Sequence, residues 1–173
     1  AYLCQLAEIF NGISVNTPSL SAIIAIILAG LLLLASGFAS ASEIAFFSLS
    51  PSDLNDIEEG NHPSDGKISN LLADSERLLA TILITNNFVN VTIIMLCNFF
   101  FMNVFVFHSP LAEFLILTVI LTFLLLLFGE IMPKIYSAQK TLAFCRFSAP
   151  VIYMLRKVFA PISAVLVHST AFL

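Results

Sequence analysis

Glu130 and Pro133 stand in FGEIMPK, residues 128–134, at the end of an otherwise apolar stretch, LAEFLILTVILTFLLLLFGEIMPK, that begins at Leu111. A carboxylate at membrane depth loses its solvation, which costs about 2.5–3.5 kcal/mol even on lenient scales. Proline has no amide hydrogen, so in an α-helix the carbonyl four residues earlier, that of Gly129, loses its partner. Inside a bilayer such a carbonyl is tolerated only where protein, water or an ion takes up its lone pairs. A carboxylate beside a freed carbonyl is the beginning of a cation site.

Two other stretches offer matching oxygens. ASGFASASEIAFFS places Ser36, Ser40 and Glu43 at i, i+4 and i+7 on one helical face, with Ser42 beside it. ITNNFVN spaces Asn86 and Asn90 at i, i+4 and Asn87 and Asn90 at i, i+3. Counted from Ser50 and Leu78 as helix ends, Glu43 lies about 10 Å in and Asn87 about 13 Å in, a depth that Gly129 shares. Serine hydroxyls, asparagine carbonyls, a carboxylate and a backbone carbonyl are hard ligands, suited to Mg²⁺, Ca²⁺ or Na⁺ rather than to a thiophilic metal. Taken alone, a stretch such as ASGFASAS is more often a small-residue packing face than a ligand set, and the asparagines could likewise serve as interhelical hydrogen-bond groups. Two glutamates at matched depth tip the balance toward an ion site. Lys134 either pairs with Glu130 or marks the cytoplasmic interface.

The elements that must position these groups follow from composition. The chain has 173 residues, of which 59% are hydrophobic and 10% charged, and its mean hydropathy is +1.00. A soluble domain carries about 25% charged residues, so this is an integral membrane protein. Charge is absent from Leu20 to Ser42, which at about 1.5 Å per residue spans about 35 Å, enough for a hydrocarbon core of about 30 Å. Further charge-free runs extend from Leu78 to Ala112, broken by an HSP turn at 108–110, and from Phe114 to Gly129. The expected fold is an all-α membrane protein with three transmembrane helices, about 20–49, 78–107 and 111–133. Cytoplasmic juxtamembrane helices are expected over about 51–76 and 136–173, and residues 1–19 form an extracytoplasmic segment. VFAPISAVLVHSTAFL is too short and too interrupted for a fourth span and reads as an interfacial or packed helix. Lys67, Arg77, Lys134, Lys140, Arg146, Arg156 and Lys157 all fall on one side, which sets the N-terminus outside and the C-terminus in the cytoplasm of a plasma (inner) membrane protein.

Several classes find no support. Cys4, Cys97 and Cys145 form no CxxC or Cys/His cluster and read as bystanders. His62, His108 and His168 are isolated, and no nucleophile and base stand at catalytic spacing, so no enzyme is expected. No basic, aromatic-interleaved patch exists for nucleic acid. No basic n-region precedes the first apolar run, so no cleavable signal peptide is expected.

In this order and at these spacings, SASEIAFFS, LLATILITNNFVN and FGEIMPK resemble the transmembrane domain of the CNNM/CorC/CorB family of magnesium transport proteins, from about Leu20 to Ser169. The resemblance implies a homodimer of three-span subunits in lipid, a cytoplasm-facing acidic cavity and a dehydrated Mg²⁺. Its ligands would be Ser40, Ser42, Asn86, Asn87, Asn90, Gly129 and Glu130, with Pro133 as helix breaker and Glu43 and Lys134 in the cavity. Mg²⁺ transport is the expected activity, with Na⁺-coupled export as its candidate form. A cytoplasmic CBS pair that binds ATP is expected in the full-length protein and is not in this sequence. Ile44 stands where the family often has threonine, and Thr85 where it often has glycine. Some relatives in gliding bacteria are named for motility, so the alternative is a membrane anchor or regulatory partner of a cell-envelope machine whose metal site is structural.

Overall fold

The computed structural model describes residues 14–106 and 110–162. The first span is helix α1 (Leu20–Phe47), begun by Ser19, whose hydroxyl accepts from the Ala22 amide. Ser50 then starts α2 (Pro51–Glu58) with a capping box, its hydroxyl and Asp53 satisfying each other's backbone amides. After α3 (Asp65–Leu72), Asp74 caps the second span, α4 (Ser75–Val104). At the other end of these two spans, β1 (Ser14–Val15) pairs antiparallel with β2 (Phe105–Val106), a two-residue bridge that the all-helical expectation did not include. His108, His168 and Cys4 lie outside the described residues.

The third span differs from expectation. Instead of ending at Pro133, it runs through α5 (Pro110–Leu124), a π-helical turn (Leu125–Ile131) and α6 (Met132–Gln139). The Met132 amide donates to the carbonyl of Leu127, five residues back. That wide turn takes up the mismatch a proline creates, so the helix continues past the ring. It also moves the register by one. Carried on by one residue, an i to i−5 pattern sets Pro133 opposite the Phe128 carbonyl, where an α-helix would set it opposite Gly129.

Helix α7 (Thr141–Val158) completes a belt with α2 and α3. Phe46, Leu78 and Ile82 from the spans, Ile57, Ile68 and Leu71 from the connection, and Cys145, Ala149 and Ile152 from α7 form one apolar core at this end. Burial and nearby carboxylates push the Cys145 thiol up to about 12, which leaves it protonated and inert. The opposite face of α7 exposes Phe147, Val151, Met154 and Val158, one helical stripe. Helix α7 is thus packed on one side and apolar on the other, as a helix lying in the bilayer boundary requires; most of VFAPISAVLVHSTAFL, from residue 163 on, lies outside the described residues.

One ion pair ties the belt together. The Arg146 Nε–H donates to Asp65 Oδ1 at 2.8 Å and its Nη2 to Oδ2 at 3.1 Å, and the His62 amide adds a bond of 2.9 Å to Oδ2. Arg146 holds the Asp65 carboxyl below its ordinary value of 3.8. Asp65 is only 1% exposed, so removing the guanidinium strands a buried charge. Arg146→Gln is expected to lower the thermal midpoint by several degrees. Because the folded-state pKa is depressed, this contribution is complete above about pH 4 and disappears as pH falls through the folded value. The gap between wild type and variant in pH-resolved thermal scans should therefore close in acid.

Candidate metal centre

Three of the four elements that frame the polar cluster are set by one close approach. Gly37 of α1 faces the third span where a Cβ would lie 2.9 Å from Pro133 Cγ and 3.2 Å from the Phe128 carbonyl oxygen. Hydrogen at this position is what lets the two backbones meet. One turn further on, the Ser137 hydroxyl donates to the Ala41 carbonyl at 2.6 Å. The pairs Gly129 with Leu33, Pro133 with Gly37 and Ser137 with Ala41 advance together by four residues on both helices, so α1 and the lower third span run parallel in register.

That register places a knot of oxygens between the helices. Ser36 Oγ lies 2.9 Å from Asn86 Oδ1 and 2.6 Å from Asn90 Oδ1. A Cβ on Gly129 would sit 3.2 Å from the same Oγ. Ser40, one turn along the same face, is fully buried, and its hydroxyl has no hydrogen-bond partner among the described residues. An unsatisfied buried hydroxyl costs about 1–3 kcal/mol. The serine proton can go to only one of the two asparagine oxygens at a time. The knot is relieved in one of two ways: one amide turns its NH₂ toward Ser36, or a cation lies among the oxygens.

The knot lies between two apolar clusters along the helices. Ala29, Val89, Ile93, Cys97 and Leu121 pack on one side of it, and the belt core around Phe46 and Ile82 on the other. Among the described residues no three of His, Cys, Asp and Glu come together. A cation here would be held by neutral oxygens first.

The sequence-predicted residues separate into groups. Asn86, Asn90, Ser40 and Gly129 meet around Ser36, which the spacing put on the stripe but which was not among the ligands carried over from the family. Asn87 is exposed on another face of α4 and does not join them. Ser42 is buried, about 120° around α1 from Ser36, and its hydroxyl donates at 2.7 Å to the Phe38 carbonyl of its own helix. Thr81 and Thr85 likewise bond back to the carbonyls of Arg77 and Thr81. Glu130 is half-buried, without a charge partner among the described residues. Lys134 takes neither of its two expected roles alone: its Nζ lies 3.1 Å from Glu43 Oε2. The pair joins the segment that follows the π turn to α1.

The family described as Cyclin M transmembrane N-terminal domain, CNNM, matches residues 26–173. The chain belongs to the CNNM family. A protein of Haemophilus influenzae named "UPF0053 protein" is 32% identical over 130 residues, which are 75% of this chain and 30% of the relative. The chain therefore matches less than a third of that relative's length. Membership fixes the membrane domain itself: an all-α, multi-pass unit whose three apolar helices are those described above.

The contact that defines the CNNM domain's interior can be broken at one atom. Gly37→Ala should force Pro133 and the Phe128 carbonyl apart and cost about 1–3 kcal/mol. Hydrogen–deuterium exchange should rise at residues 125–137 more than in the belt. Unchanged exchange there would show that the close approach is not what holds the π turn.

Proposed function

We propose that this domain carries Mg²⁺ across the membrane through a site formed by Ser36, Ser40, Asn86, Asn90 and the backbone of the π turn at Gly129. The observation that carries this reading is the fully buried, unpartnered Ser40 hydroxyl on the face where Ser36 meets two asparagine oxygens. Mg²⁺ sheds water reluctantly and wants oxygens at about 2.1 Å in near-octahedral order. Ligands on three packed helices supply that order without needing a loop to close. Glu130 would add charge at the rim. The basic residues gathered at the belt end support a cytoplasmic C-terminus and an outer N-terminus. Na⁺ coupling and export belong to the same proposal.

A second copy of the chain completes the unit. Asn87 and Asn98 are exposed on one face of α4, and Asn98 with Glu113, Thr118 and Thr122 lines a groove of about 350 Å³ between α4 and α5. Only 17% of the most apolar stretch of the third span is buried within one protomer. Lipid tails cannot satisfy amide and hydroxyl groups, whereas a partner's helices can, so we place the homodimer interface there. The runner-up reading, an anchor or regulatory partner, draws on the same knot acting as an interhelical clamp with one amide turned.

Flux separates the two. The full-length protein in liposomes, with Mg²⁺ and Na⁺ gradients set independently, should move Mg²⁺. Ser36→Ala and Asn90→Ala should each reduce flux and Mg²⁺ affinity by about tenfold or more. Glu113→Gln, in the outer groove, should leave affinity unchanged. Binding without flux in the wild type would favour the anchor.

A further inference from the structure

We propose that Lys134 is a tethered counter-ion that competes with the incoming divalent cation for the Glu43 carboxylate, so that Glu43 is an entrance station opened only when the metal displaces the amine. The inference rests on the transport reading of the neighbouring oxygens and adds a residue that controls access to them. Glu43 was expected to give the cavity a standing negative potential. Its partner at 3.1 Å cancels that charge.

The position of the pair is what gives it this role. Glu43 continues the stripe of Ser36 and Ser40, seven residues on from Ser36, or ~10 Å along the helix. It lies on the belt side of the knot. A cation arriving from that side meets the carboxylate before it meets the serines. Lys134 is fixed by its neighbours: Pro133 sits against Gly37, and Ser137 is bonded to the Ala41 carbonyl. The side chains of Lys134 and Glu43 are 32% and 26% exposed, open enough for a hydrated ion to reach and enclosed enough for the charge to be felt.

The chemistry favours exchange over permanent pairing. A lysine amine is a compact point charge on a flexible stem, able to leave without moving the backbone. A divalent ion outcompetes a monovalent amine for one carboxylate when other oxygens complete its shell, and Ser40 stands one turn before Glu43 on the same helix. Once released, the amine has a second carboxylate within its own segment, Glu130, four residues back. The positive charge would then stay near the pathway but clear of the station.

Single substitutions of the two partners should act in opposite directions, which a purely structural ion pair cannot produce. With full-length protein in nanodiscs and MgCl₂ as the titrant, Lys134→Gln should tighten binding by about tenfold, the size expected for removing one positive charge ~10 Å from a divalent ion in partly screened surroundings. Glu43→Gln should weaken it. Lys134→Arg, which grips the carboxylate with two donors, should weaken it too. In the unmodified protein, an amine-reactive reagent should label Lys134 several-fold faster at saturating Mg²⁺, and this readout does not depend on any variant folding. Wild-type protein that binds no Mg²⁺ would overturn the reading of the oxygen knot itself. Measurable Mg²⁺ binding, with Lys134→Gln no tighter or Lys134 labelling indifferent to Mg²⁺, would overturn the counter-ion role alone.

Discussion

The contact of Gly37 with Pro133 and the Phe128 carbonyl is the constraint on which the arrangement depends. It requires a residue without a side chain on one helix and a proline ring on the other. A π turn between them lets the proline pass without ending the span. From that single approach follow the alignment of Gly129 on Ser36, Lys134 on Glu43 and Ser137 on the Ala41 carbonyl. The proline and the glycine of the third span each meet a residue of α1, while Glu130 is left half-buried without a charge partner among the described residues.

The energetic logic of the domain is one of compensation in layers. Lipid gives the spans no hydrophobic reason to adhere to each other, so close backbone packing and interhelical hydrogen bonds must do it. Small residues in α1, among them Ala29, Ser36, Gly37, Ser40, Ala41 and Ala45, allow that packing, and all are buried. The polar knot costs stability when incompletely satisfied, and it is flanked by two apolar layers. The belt, pinned by Arg146 on Asp65, supplies the lower layer. A domain so built spends packing energy to keep a half-satisfied polar cluster away from lipid and bulk water.

Much of this was legible in the chain. Three spans follow from charge-free runs, and the belt from a Ser, Asp, Gly and Pro-rich connection. The conflict between Gly129, Glu130 and Pro133 and their apolar surroundings marked the site. What periodicity could not give was rotation. Ser36, Ser40 and Glu43 share a face by spacing alone, yet only the packing of α4 shows that Asn86 and Asn90 meet Ser36 while Asn87 turns away. Ser42 looked like a neighbour of the stripe, but bonds to its own helix. The π turn was hidden because the sequence rule for proline assumes an α-helical register, and the extra residue per turn transferred the opposed carbonyl from Gly129 to Phe128. Lys134 pairs across the interface with Glu43, which spacing within its own helix could not reveal.

The central claim is that a divalent cation is held by neutral oxygens from three helices at Ser36. Crystals of the protein soaked with Mn²⁺, whose oxygen-rich octahedral preference resembles that of Mg²⁺, would locate the ion by anomalous scattering. One peak per protomer is expected within about 2.5 Å of the Ser36, Ser40, Asn86 and Asn90 side-chain oxygens. Peaks found only in the outer groove beside Glu113 or on the belt carboxylates, with an asparagine amide turned to donate to Ser36, would contradict it.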